Sequence, residues 1–265
     1  MNVSTTASYN VAIGNGSGAA MTEGDLYNTL IGHSSGGALT TGSTNVLIGA
    51  LAASAGTITG ASNNVIGYQA GKNISSGHSN IMIGDDAGRN VSTGNNNILI
   101  GHDVGNGFDT ETNNLAIGTD ALGGAINGGE FNVAIGNNAL DALTSADNNT
   151  AIGYNAGSAV TTGFSNVIIG QEAGLALTTG SNNVAIGREA LKNEDGHGRN
   201  VAIGLQTLFT QNAGADAYNV AVGFQTGASI TTGTKNVAVG GFALDAATTG
   251  QENTAIGHQA LTADT

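Results

Sequence analysis

The sequence predicts an all-β fold, a parallel β-solenoid of about fifteen 17-residue coils read as a single domain over residues 1–265. Three observations predict it. First, the pattern Asn-x-x-(Ile/Val)-Gly recurs with its glycine at 14, 32, 49, 67, 84, 101, 118, 136, 153, 170, 187, 204, 223, 240 and 257, fifteen copies at spacings of 17 to 19 residues. A period this regular over the whole chain marks a solenoid or related array. Second, each glycine is preceded by a short, mostly β-branched apolar run bounded by turn formers, which reads as a strand. Third, propeller blades need ~40 residues and leucine-rich repeats 20–29 with a pattern absent here, so the period excludes both.

Within one unit the strand comes first. The residue two before the glycine is apolar in every copy, and the residue one before it is Ile, or Val at Val222 and Val239. Helix is disfavoured there, because Val, Ile, Asn and Gly are weak helix formers. The second half carries a small or β-branched residue three after the glycine, most often Ala, then Gly or Leu, with Ala53 the exception. A Thr-Thr-Gly or a variant of it follows, as in Thr161-Thr162-Gly163. This half reads as a second short strand and a turn, with a helical turn at Glu189–Lys192 as the alternative. Coils stacked at ~4.8 Å would make a rod about 70 Å long.

Stacking explains the residue types. An asparagine column, Asn10, Asn28, Asn45, Asn80, Asn97, Asn114, Asn132, Asn149, Asn166, Asn183, Asn200, Asn219, Asn236 and Asn253, can pass amide hydrogen bonds up the stack. The glycine permits positive φ at the corner. Pro is absent, as a continuous hydrogen-bond ladder requires. Alternate strand residues face opposite sides, so Val and Ile of NVAIG are assigned to the interior and the middle residue to the exterior. Ala134, Ala151, Ala185, Ala202 and Ala238 are thus the expected oligomer interface. A strand apolar on both faces wants burial on both, so self-association is expected whichever face is internal.

Composition narrows the function classes. The chain holds 44 Gly, no Cys and no Trp, with 9% charged residues and 40% hydrophobic. That hydrophobic content is unlike disorder. The net charge of −13 argues against nucleic acid and anionic membranes as partners. No thiolate metal site or disulfide framework can exist. The N-terminal MNVSTTASYNVAIG has no basic region followed by a long apolar run, so no signal peptide is read, and no apolar run reaches the ~18 residues of a membrane span.

The tandem units, such as Asn149-Thr-Ala-Ile-Gly-Tyr154 and Asn253-Thr-Ala-Ile-Gly-His-Gln-Ala-Leu261, resemble repeats of bacteriophage tail-fibre proteins. They are also similar to the head repeats of trimeric autotransporter adhesins. The resemblance covers Asn10–Leu261. It implies a homotrimeric shaft, on a virion tail fibre or at a cell surface, whose partners are further copies of itself and a host cell-surface glycan or protein. The alternatives are a bacterial trimeric adhesin head and a monomeric ice-binding solenoid presenting its Thr pairs.

No enzyme is expected, and no cofactor. His33, His102 and His258 sit just after repeat glycines, where other copies carry Tyr, Arg or Phe, so they read as surface decoration. Asp86 and Asp103 occupy equivalent positions in neighbouring copies and could attract Ca²⁺, but no calcium-loop pattern accompanies them and no metal is expected. Insertions in solenoids map to loops that can bind. The 19-residue spacing contains Phe209 and Tyr218, and the densest charge cluster, Asn193–Arg199, precedes it. Phe209, Tyr218, His197 and Arg199 are therefore the binding candidates.

Overall fold

A computed structural model describes residues 9–22 and 27–262. Among them the chain is all-β, with fifteen three-residue parallel strands and no helix. It comprises two compact units, Met1–Phe131 and Asn132–Thr265. The first holds β1 (Val11–Ile13), β2 (Thr29–Ile31), β3 (Val46–Ile48), β4 (Asn64–Ile66), β5 (Ile81–Ile83), β6 (Ile98–Ile100) and β7 (Leu115–Ile117). The second holds β8 (Val133–Ile135), β9 (Thr150–Ile152), β10 (Val167–Ile169), β11 (Val184–Ile186), β12 (Val201–Ile203), β13 (Val220–Val222), β14 (Val237–Val239) and β15 (Thr254–Ile256). In each unit every strand stacks on the next in sequence, in register: Val167, Ile168 and Ile169 pair with Val184, Ala185 and Ile186. Each unit is a parallel β-solenoid.

The strands are the residues the period predicts, but the expected second strand does not form. The rest of each coil is a run of turns, because the chain bends there at left-handed residues. In one coil Gly153, Asn155, Gly157 and Ser165 all have positive φ, at 138°, 52°, 58° and 56°. Even Leu191 and Leu208 adopt φ near 50°, a conformation that costs a non-glycine residue about 1–3 kcal/mol. The stack offsets that cost. Leu191 N–H donates to Thr207 O at 3.0 Å and Glu189 N–H to Gln171 O at 2.9 Å, so these backbone groups bond along the stack as strand groups do. No helical turn forms at Glu189–Lys192.

The strand faces are the reverse of the sequence assignment. From β2 to β15 the middle residue of the strand is buried in the coil, while the flanking residues, mostly Val and Ile, are half-buried or exposed outside it. Ala134, Ala151, Ala185, Ala202 and Ala238, expected on an outer interface, are 0–1% exposed within a single chain. The physical reason is volume. A 17-residue loop encloses little space, and the interior column takes the residue whose size it can match from coil to coil.

That matching is visible. The middle strand residue shares its space with the residue four after the repeat glycine. Leu99 faces Gly105, where an added Cβ would lie 2.8 Å from Leu99 Cδ2, and Met82 faces Gly88, with Sδ 2.5 Å from the same position. Where the strand offers only Ala116, Ala134, Ala185, Ala202 or Ala238, the partner position holds Leu122, Leu140, Leu191, Leu208 or Leu244, all buried. In these coils large and small exchange places; where Ala151 and Ala221 face Gly157 and Gly227, Leu140 with Ile168 and Leu208 with Ile230 fill the space instead, as close packing requires. Ala185→Leu is expected to lower stability by about 1–3 kcal/mol by overpacking. Adding Leu191→Gly should recover more than half of that loss, as measured by urea unfolding.

Candidate functional site

The asparagine column forms the spine of each unit. Within each unit the side-chain Oδ1 of one asparagine accepts from the backbone N–H of the next, as Asn149 Oδ1 from Asn166 N–H (3.0 Å) and Asn166 Oδ1 from Asn183 N–H (2.9 Å). At most positions the Nδ2 group donates to a carbonyl of the following turn, as Asn166 does to Gly180 O at 2.9 Å; Asn200 is an exception. The same Oδ1-to-N–H bonds join Asn10, Asn28 and Asn45, and run from Asn80 through Asn97 to Asn114. They also run from Asn132 through Asn200, Asn219 and Asn236 to Asn253. Asn63, not placed in the column from sequence, belongs to it: it accepts from Asn80 N–H and donates to Asn45 Oδ1. Its offset from Gly67 equals that of the others, and the adjacent Asn64 obscured it.

The Thr pairs serve the same purpose. The first hydroxyl donates to the backbone of the next coil, Thr144 to Thr161 O (3.0 Å), Thr161 to Thr178 O (3.2 Å) and Thr178 to Asp195 O (2.7 Å). These first hydroxyls tie coil to coil, while the second residues of the pairs, among them Thr162, Thr179 and Thr232, are exposed.

The regular pattern breaks between Gly187 and Gly223. Six residues before the ladder asparagine the chain places an inward apolar side chain: Leu177 before Asn183 and Ile230 before Asn236, both fully buried. Before Asn200 that position is Glu194, 0% exposed. One coil on, the two-residue insertion turns both Gln211 and Ala213 inward. Glu194 accepts long bonds from His197 N–H (3.2 Å) and Ala213 N–H (3.4 Å), and its Oε1 lies 3.4 Å from His197 Nδ1. Burial pushes the Glu194 carboxyl above its ordinary range, opposed by the Ala213 and His197 N–H groups.

No protein-family model, curated protein or solved structure matches the chain.

The four binding candidates lie within this break, in three separate groups. His197 stands against Glu194. Arg199 bonds Asp216 and the Tyr218 hydroxyl (2.7 Å), with its guanidinium 5.4 Å from the Tyr218 ring centre. Phe209 lies under Lys192, 5.7 Å from ring centre to Nζ. Lys192 in turn bonds Glu172 (2.7 Å) and Glu189 (2.9 Å). These bonds raise the Lys192 pKa, and those from Lys192 and Gln206 lower that of Glu189. Glu194, Gln211 and the Lys192 network escaped sequence reasoning. A charged residue in an aliphatic column was the available signal.

Elsewhere the acidic pair is engaged locally. Asp86 pairs with Arg89 (3.6 Å), and Asp103 with His102 (3.1 Å) and Asn106 (3.2 Å). Among the described residues, the one group of three side chains that could hold a metal ion is Glu194, Asp195 and His197. No helix among them is long and apolar enough to cross a membrane.

Proposed function

We propose that the chain is a non-enzymatic structural repeat domain of a fibre or adhesin, from a phage tail fibre or similar appendage. It self-associates as a homotrimer and acts as a rigid element that presents a host- or surface-binding face. The observation that carries this reading is the outer strand face. The third strand residue, Ile or Val in every strand, forms an outward column in each unit, half-buried at most positions; the first strand residue adds a second column, mostly apolar but interrupted by Thr29, Asn64, Thr150 and Thr254, and 37% exposed at Ile98. A flat apolar stripe of this kind is a partner surface, and identical columns on identical chains match one another. The Val/Ile columns, not the buried alanines, are the contact. The backbone, Asn and Thr bonds from coil to coil within each unit supply stiffness. The second positions of the Thr pairs, mostly exposed, vary along the stack, to Ser76 and Gly196, which makes ice binding the weaker alternative.

Sedimentation of the full chain at micromolar concentration tests this. A trimer is expected, falling to monomer with its β circular dichroism intact in the variant Ile152→Lys/Ile169→Lys/Ile186→Lys. A monodisperse wild-type monomer would falsify the self-association.

A further inference from the structure

We infer that Glu194, Asp195 and His197 form a binding site for a divalent transition ion of the zinc class, built into the coil where the aliphatic column is interrupted. The inference is independent of the fibre reading. Its ligand atoms lie within 4.8 Å of one another. The Oε1–Nδ1 separation of 3.4 Å is long for a hydrogen bond. It matches the edge of a zinc tetrahedron, in which ligands about 2.0–2.1 Å from the metal stand roughly 3.4 Å apart. His197 Nδ1 is buried with no hydrogen-bond partner, so its ring nitrogen is held toward Glu194 without satisfying it.

Two further buried groups support a ligand here. Gln211, one coil along the column of Glu194, has an unpartnered Nε2, and Asn200 has an unpartnered Nδ2, both in fully buried side chains. Asn200 is the ladder residue next to the site. Its Oδ1 accepts from Asn219 N–H, and the Gln211 Oε1 accepts from Asn219 Nδ2. Both amides are thereby fixed by their oxygens, and their buried N–H groups have no partner in the protein around the interrupted column. A buried carboxylate among apolar neighbours is costly unless it is paired or coordinates a metal. The Glu194 carboxylate gains only two long N–H bonds from the protein, whereas Leu in its place would match Leu177. Imidazole nitrogen with carboxylate oxygen favours zinc-like ions over Ca²⁺ or Mg²⁺, which prefer six or more oxygens.

The test uses the full chain, stripped with chelator and titrated with Zn²⁺ by calorimetry. One equivalent per chain is expected at micromolar affinity or better, with no saturable uptake of Mg²⁺. Glu194→Leu, which fills the column and keeps the fold, should lose at least a hundredfold in affinity, as should His197→Asn. His102→Asn, remote from the site, should bind as wild type does. The inference is overturned if wild type takes up no stoichiometric zinc, or if the folded Glu194→Leu chain binds it equally.

Discussion

Replacing Gly187 with alanine is expected to lower the stability of the second unit by about 3–5 kcal/mol, combining left-handed strain with a backbone clash. Gly187 sits at φ +132°, which essentially only glycine adopts. A Cβ there would lie 2.6 Å from the Gly204 carbonyl carbon, closer still to its oxygen, and 3.1 Å from Leu205 N. These are backbone atoms of the next coil and cannot rotate aside. Relief would require the coils to separate, which breaks the Gly204-to-Ile186 ladder bond at 2.7 Å. In a solenoid each coil contacts only its neighbours, so the loss splits the stack locally. Gly214→Ala is the control: nothing lies within 4 Å of its added Cβ, and its effect should stay within about 0.5 kcal/mol. Urea unfolding at fixed protein concentration measures both.

This contrast also shows what the period could and could not reveal. Recurrence every 17 residues located the strands, because a stacked array repeats its chemistry at every level. It could not say which strand face is internal, since Val184, Ala185 and Ile186 are apolar on both. The answer lay in a correlation between columns: Leu99 with Gly105, Ala185 with Leu191. Side chains that trade volume must touch, and only the interior makes them touch. The missing second strand has a different cause. Residues such as Glu189 and Leu191 at positive φ carry no local preference for it. Bonds from the neighbouring coils hold them there, and propensity reasoning cannot see those bonds.

The site was legible in the same partial way. The charge density of Asn193–Arg199 marked the region, yet it drew attention to exposed Arg199 and Tyr218 before buried Glu194. Exposed charge is common and cheap. The informative residue was the one that broke its column, a carboxylate where Leu177 and Ile230 stand in other coils. Lys192 illustrates the limit. Its partners Glu172 and Glu189 belong to different coils, and the bends that bring them together are set by tertiary contacts.

Asn166→Asp should be the most damaging isosteric change in the spine, costing about 3–5 kcal/mol at neutral pH. The buried amide donates to Asn149 Oδ1 (3.1 Å) and Gly180 O (2.9 Å) and accepts from Asn183 N–H (2.9 Å). A carboxylate keeps the acceptor but sets a charge against two oxygens, and each buried group left unsatisfied costs about 1–3 kcal/mol, more when charged. Asn166→Ala loses both directions, leaving the Asn183 N–H and the Gly180 carbonyl unpaired, for about 2–5 kcal/mol by the same reasoning. Acid separates the two variants. Burial between oxygens holds the new carboxyl's pKa above its unfolded value of ~3.9. A raised pKa contributes stability that is present below the unfolded value and lost as pH rises through the folded one. Once protonated, the introduced carboxyl regains a donor, so Asn166→Asp should recover much of its loss relative to wild type as pH falls toward 4. Asn166→Ala should not recover. Equal pH profiles for the two variants would mean that the ladder works by packing alone, without directed hydrogen bonds.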